Sequence, residues 1–334
     1  MVVFYCIGWV AKLNTHVVLV TGSTGFVGKA LTDELLLQGY HVVASVRHSS
    51  DTFPPNVKQV NVGDLLPSTN WMPALKDVEV VIHLAARVHV MNDSASDQLK
   101  EFRKINTLAT LNLAKQSVEA GVKRFIFVSS IKVNGEMTEP KHPFTTNDDY
   151  IPIDPYGLSK YEAEQGLLAL AKETGMEVVI IRPPLIYGPG VKANFSSMMK
   201  WVYKGVPLPL GAIHNQRSLV ALENMVSFII HCISHPKAIN EVFLISDGED
   251  VSTTELLHKI AKAFGKRTLL FSVPTSLIRY TAKLFGKGDV VNRLCGSLQV
   301  DSSKARNLLG WQPTITMDEQ LNKTVEAYLN EKTL

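Results

Sequence analysis

Tyr156 and Lys160 stand four residues apart in Asp154-Pro155-Tyr156-Gly157-Leu158-Ser159-Lys160. On a helix that spacing places both side chains on one face, so the lysine ammonium can lie beside the phenol oxygen. A free phenol titrates near pH ~10, too high to exchange protons at neutral pH, and a neighbouring cation lowers that value. The expectation is a tyrosine tuned for acid–base work by its lysine. Taken alone, the pair also suits the start of an ordinary amphipathic helix. Upstream, Ser130 in Ser129-Ser130-Ile131-Lys132-Val133-Asn134-Gly135 follows an apolar run, which places a hydroxyl at a strand end.

The pair gains weight from a second pattern about 130 residues earlier. The segment Val17-Val18-Leu19-Val20-Thr21-Gly22-Ser23-Thr24-Gly25-Phe26-Val27-Gly28 runs from β-branched residues into glycines at intervals of three. Leu31, Leu35 and Leu36 then recur on one side of a helix. A strand, a glycine turn and a helix in this order make a phosphate site, with the pyrophosphate at the helix N-terminus. Gly22 allows the tight turn, Gly25 lets the backbone approach the phosphates, and Gly28 lets helix and strand pack closely.

These motifs resemble the extended short-chain dehydrogenases/reductases, the group of nucleotide-sugar epimerases, dehydratases and reductases. The resemblance rests on Thr21-Gly22-x-x-Gly25-x-x-Gly28, Asp64-Leu65, His83-Leu84-Ala85-Ala86, Asn106, Ser129-Ser130 and Tyr156-x-x-x-Lys160. It continues through Arg182-Pro183-Pro184-Leu185-Ile186-Tyr187-Gly188-Pro189, Arg217, Ser303-Lys304-Ala305 and Leu309-Gly310-Trp311. It implies a dinucleotide held by Gly22, Thr24, Gly25, Phe26, Val27, Gly28, Arg47, Asp64, Leu65, Leu84, Ala85, Ala86, Tyr156, Lys160 and Pro183. It also implies that Ser130 holds the reacting substrate oxygen, Tyr156 exchanges its proton, and Lys160 holds the ribose and lowers the Tyr156 pKa. Asn106 matches a position that orders a proton relay near the lysine, though an amide that caps or kinks its helix fits equally well. Ser130, Lys132, Asn194 and Arg217 are the expected substrate contacts.

Two departures bear on the reaction. Sugar dehydratases of the group carry Asp-Glu after the active-site Ser or Thr, whereas this chain has Ile131 and Lys132. Isoleucine transfers no proton, which disfavours dehydration. Leu185 stands where many epimerases have an asparagine. The cofactor expectation turns on His41-Val42-Val43-Ala44-Ser45-Val46-Arg47-His48, which ends without the acid that usually receives a ribose hydroxyl of NAD. Arg47 could pair with a 2′-phosphate, favouring NADP with NAD as the alternative, or could be a surface arginine.

The leading functional expectation is therefore reduction of a UDP-4-keto-hexose for cell-surface polysaccharide sugars. The alternative is a UDP-glucose or UDP-N-acetylglucosamine 4-epimerase with tightly held NAD. A catalytically silent dinucleotide sensor is a third reading, opposed by the presence of Ser130, Tyr156 and Lys160 together.

Short apolar strands alternating with helical patterns predict an α/β fold, a doubly wound parallel sheet of the Rossmann type with a smaller, mostly helical C-terminal substrate lobe. We expect an apolar extension at 1–15, a dinucleotide domain at 16–185 plus 217–246, and the lobe at 186–216 plus 247–334. With 334 residues, 46% hydrophobic and a net charge of +3, the chain can build a large core and gives no reason to expect nucleic acid. Cys6, Cys232 and Cys295 read as free thiols of a cytoplasmic protein. The apolar start is too short to span a bilayer; a disordered extension or an upstream start codon is its leading reading, and a peripheral membrane contact is its minor one. His231 and His235 share a helix face but lack a third ligand, so no metal is expected. The resemblance further implies a homodimer.

Overall fold

β-branched, nearly unbroken apolar runs make the buried central strands of a seven-stranded main sheet, whose edge strands are more polar and more exposed. A computed structural model describes residues 16–48, 52–88, 97–139, 141–284 and 288–333. The strands are β1 (Val17–Thr21), β2 (His41–Val46), β3 (Lys58–Asn61), β4 (Val80–His83), β5 (Arg124–Val128), β6 (Glu177–Arg182), β7 (Leu185–Tyr187), β8 (Arg217–Ala221), β9 (Glu241–Leu244) and β10 (Asp250–Val251). The main sheet has the order β3-β2-β1-β4-β5-β6-β9, and every pairing in it is parallel. Strand order reverses between β1 and β4, and ligands of doubly wound sheets bind in the crevice at the carboxyl ends of strands there.

The first helices are α1 (Phe26–Leu37), α2 (Met72–Leu75), α3 (Gln98–Phe102), α4 (Ala109–Glu119), α5 (Pro155–Thr174), α6 (Ala193–Tyr203) and α7 (Leu222–Ser234). They continue with α8 (Thr253–Ala263), α9 (Thr275–Leu284), α10 (Gly288–Cys295), α11 (Ser303–Leu309) and α12 (Met317–Thr333). One face of the main sheet packs Val18, Val20, Ile82 and Ile181 with Leu31, Leu35, Phe228 and Trp311. The other packs Leu19, Val81, Phe125 and Val178 with Leu113, Ala163 and Leu167. A doubly wound sheet is thereby covered on both sides.

A smaller sheet, β10-β8-β7, opens the second region, whose own core gathers Phe195, Met198, Met199, Leu257, Ile260 and Leu321. Within the stretch 217–246, β8 pairs in this small sheet while β9 joins the large one. The two parts are tied where the Tyr187 hydroxyl donates to Asp247 at 2.8 Å, a carboxylate that also receives the Ala221 amide and the Asn224 amide group. Cys232 and Cys295 are free and buried, whereas Cys6 and the apolar start lie outside the described residues. No described helix is long and apolar enough to cross a membrane.

Candidate active site

The glycine turn leaves β1 as expected. Gly22 has φ +67°, and a Cβ there would lie 2.9 Å from the Ala85 amide nitrogen. The Gly25 amide donates to the Gly22 carbonyl at 2.9 Å, and a Cβ on Gly28 would overlap that same carbonyl. Close approach therefore demands glycine at both ends of the turn. Gly25 caps α1 with no side-chain cap, so no side chain occupies the amides of the first turn. These are the orphan donors of a helix start, and a pyrophosphate fits them.

Opposite the turn, Leu84, Ala85 and Ala86 leave β4. The Thr21 hydroxyl accepts from the Leu84 and Ala85 amides, each at 3.2 Å, and lies 2.7 Å from His83 Nδ1. As Thr21 accepts from two amides, its own proton goes to Nδ1, which leaves His83 Nε2 as the donor to Thr110 at 2.9 Å. Burial holds the His83 pKa down at about 3, so the ring stays neutral and acts as a brace between β1, β4 and α4. Arg47 and His48 are exposed beyond β2, and Asp64 is exposed after β3, its backbone carbonyl receiving the Thr69 hydroxyl.

Helix α5 delivers the acid–base pair. Asp154 caps it by accepting from the Gly157 amide at 2.8 Å, and Pro155 sits in its first turn, where a missing N–H costs nothing. A Cβ on Gly157 would lie 2.7 Å from the Lys132 carbonyl, so glycine lets the helix start press against the turn that carries Ser130. Tyr156 there shares a hydrogen bond with Ser130, and its ring meets Phe102 edge-on at 5.8 Å. The Lys160 ammonium is buried, donates to the Val128 carbonyl at 3.0 Å and lies 4.4 Å from the centre of the Phe127 ring.

Without ligand, the phenol of this pair moves opposite to the expected direction. Burial pushes the Tyr156 phenol up to about 12, against a lowering by the Ser130 hydrogen bond, and Asp154 adds to the rise. Burial also pushes Lys160 down to about 7, with Glu164 opposing it. A lysine near 7 is only partly charged at neutral pH, and its proton is directed at a carbonyl, so it does not depress the phenol in this state.

Of the two readings open for Asn106, its contacts match the structural one. It lies in a π-helical turn, Arg103–Leu108, and its side-chain amide donates to the Arg87 carbonyl at 3.0 Å and the Ser159 hydroxyl at 3.1 Å. Its carbonyl oxygen accepts from the Arg87 amide at 2.8 Å. All these bonds clamp backbone and helix α5, and none reaches Lys160. The neighbouring Thr107 donates to the Ser159 carbonyl at 2.8 Å, so the widened turn aims two successive residues at α5.

The substrate candidates are less gathered. Lys132 is 2.9 Å from Glu136 and 3.3 Å from Asp154, at the mouth beside Ser130. Asn194 is exposed in the first turn of α6. Arg217 donates to the carbonyls of Arg293 and Gly296 at 2.8 and 3.0 Å, at the end of α10. His231 Nε2 lies 3.0 Å from the Leu309 carbonyl, and no metal-type cluster of three side chains occurs among the described residues.

Sequence reasoning missed one supporting network. Arg182, at the end of β6, donates to Glu164 at 3.0 Å through Nε and at 2.5 Å through Nη2, both groups buried. Its Nη1 donates to Asn134 at 3.0 Å, and Asn134 donates onward to the Thr145 carbonyl and Asp148. The Ile131 amide meanwhile donates to the Pro183 carbonyl at 3.0 Å. Ser130 is thus held between β5, β6 and α5. Glu164, one helical turn after Lys160 on the same face, was the available signal.

A model of the NAD dependent epimerase/dehydratase family matches residues 18–246. A protein of Vibrio cholerae described as UDP-glucose 4-epimerase is 52% identical over 314 residues, covering 93% of this chain and 95% of the relative. An Escherichia coli O157:H7 protein described as N-acetyl-alpha-D-glucosaminyl-diphospho-ditrans,octacis-undecaprenol 4-epimerase is 26% identical and is covered to 95%. Among solved structures, MoeE5 in complex with UDP-glucose and NAD is 27% identical with a TM-score of 0.75, covering 94% of this chain and 99% of that one. The UDP-glucose 4-epimerase of Thermotoga maritima with UDP-glucose gives 25% and 0.74, covering 95% and 99%. With the glycine turn, the Ser130–Tyr156–Lys160 corner and these likenesses together, the chain belongs to the NAD dependent epimerase/dehydratase family of extended short-chain dehydrogenases/reductases.

Proposed function

We propose that the protein is a UDP-hexose 4-epimerase that works with a resident NAD, and UDP-glucose is the substrate we favour. The observation that carries this reading is the 52% identity, over nearly the whole chain, to a relative described as UDP-glucose 4-epimerase. It favours the alternative of the sequence analysis over 4-keto reduction. NAD rather than NADP is the cofactor we propose, since MoeE5 is described in complex with NAD.

The residues fit a dinucleotide. The turn Gly22–Gly28 and the first amides of α1 would take the pyrophosphate, with Leu84 to Ala86 and Pro183 lining the crevice and Asp64 at its adenine end. When bound, NAD supplies hydride acceptance from C4 of the hexose and its return to the other face. In this scheme Ser130 hydrogen-bonds the C4 oxygen. Only as the phenolate can Tyr156 accept the proton of that oxygen during oxidation and give it back during reduction; burial disfavours that form in the ligand-free protein, and the positive charge that oxidised NAD would bring to the crevice favours it, so that the full cycle consumes no net proton. Lys160 holds the ribose hydroxyls, as the resemblance implies. Ile131, a buried hydrocarbon, leaves the site without the acid that water elimination requires.

The test is incubation of the purified protein with UDP-glucose and no added cofactor, with products resolved by NMR and bound nucleotide by mass spectrometry. Formation of UDP-galactose with copurifying NAD is expected. Turnover that instead consumes NADPH in proportion to a UDP-4-keto-hexose would return the reductase to first place.

A further inference from the structure

The stretch 266–284 carries Lys266, Arg267, Arg279 and Lys283 and no acid, yet it also holds Leu269, Phe271, Leu277, Tyr280 and Leu284 at the surface. The Leu208 amide donates to Leu269 and the Phe271 amide to Leu208, which turns Leu270 inward against the second core and its two neighbours outward. Helix α9 follows. At about 100° per residue, Leu277, Tyr280 and Leu284 share an arc of about 60°, and Arg279 and Lys283 share the adjoining arc. Ile278 points away from both and packs against the core. Leu277, Tyr280 and Leu284 are 52%, 64% and 67% exposed.

The helix is therefore held by Ile278 on the core and by its neighbour α10, while it presents an apolar stripe and a basic flank to the outside. Protein–protein interface cores are depleted in lysine though not in arginine, whereas helices lying in a bilayer interface combine an apolar face with both Lys and Arg beside it and no acid. We propose that this face docks the protein on an anionic phospholipid surface. Leu277, Tyr280 and Leu284 enter the headgroup boundary, and Arg279 and Lys283 meet lipid phosphates. The inference is independent of the sugar reaction.

The experiment is flotation of the full chain with vesicles of phosphatidylcholine alone or with about one-third phosphatidylglycerol, at low and high salt. Wild type is expected to float with the anionic vesicles and to be released by salt. Leu277→Glu with Leu284→Glu should lower the bound fraction at least ~10-fold with unchanged thermal unfolding, and Arg279→Glu with Lys283→Glu should remove the preference for anionic lipid. Wild type that ignores anionic vesicles, or a Leu277→Glu, Leu284→Glu protein that floats as before, would overturn the proposal. So would vesicle-free wild type that is a larger oligomer than this variant, because the face would then belong to a protein contact.

Discussion

The corner around Lys160 and the stretch around α9 are built on opposite terms. At the corner, Lys160, Glu164, Arg182, Asn106 and His83 are all buried, and each side chain is held by named partners. In α9, by contrast, Ile278 packs on the core while Leu277, Tyr280 and Leu284 face outward. Buried polar groups demand complete pairing, so one substitution there disturbs several elements at once. A partly anchored surface helix tolerates change, and association with other surfaces can be altered there without touching the chemistry.

The strongest test of that contrast is Glu164→Ala. It leaves the Arg182 guanidinium buried with its main partner gone, and loss of one member of a buried pair costs about 3–5 kcal/mol. Denaturant unfolding at neutral pH should show this, with slower turnover because Asn134 and the Ser130 turn lose their brace. A cost below ~1 kcal/mol would mean that water reaches Arg182 and that the corner is no tighter than α9.

Tyr156→Phe comes next. It removes the hydroxyl but keeps the ring against Phe102, so folding and nucleotide content should hold while the rate falls about 100-fold or more. Single-turnover measurements with UDP-glucose check it, and an unchanged rate would move the acid–base role elsewhere.

Much of the corner is legible in the sequence because its motifs are local. The Gly22–Gly28 turn, Ser130 and the Tyr156–Lys160 pair each sit within a few residues of a strong strand or helix pattern. Strands β1, β2, β4, β5 and β6 likewise follow from apolar runs. The pairings Thr21–His83, Asn106–Ser159 and Glu164–Arg182 join residues 62, 53 and 18 positions apart, and no spacing rule announces them. The π turn Arg103–Leu108 leaves no mark in the sequence, since one extra residue barely disturbs an apolar period. The small sheet was missed because β7 and β10 have three and two residues, too few to show alternation. The direction of the Tyr156 shift was missed because i,i+4 spacing reports proximity and says nothing of desolvation.

That desolvation gives a pH test. Burial sets the folded Lys160 pKa at about 7 against an ordinary 10.5. Between those values the unfolded chain binds more protons at this position than the folded one, so stability rises with pH across the window. For nucleotide-free protein, the denaturation midpoint of wild type should climb between pH 7 and pH 9 relative to Lys160→Met, which has nothing to titrate. Parallel profiles for the two proteins would mean that Lys160 stays charged and hydrated when folded.

The smallest expected effect belongs to Arg47, which lies on the cofactor side yet resembles α9 in being exposed. If NAD is resident, no 2′-phosphate comes to this strand end, and Arg47→Asp is a surface substitution worth within about 0.5 kcal/mol, or roughly twofold in NAD affinity. If the arginine meets a 2′-phosphate, a charge-assisted contact of ~1.5 to 3 kcal/mol makes NADPH bind at least ~10-fold more tightly than NADH, and Arg47→Asp reverses the order. Titration of stripped wild type and Arg47→Asp with both reduced cofactors separates the cases. Near-equal curves for the two proteins with NADH would place Arg47 with the tolerant surface. A strong wild-type preference for NADPH would extend the tightly determined region to the end of β2, and would restore the reductase by way of its cofactor.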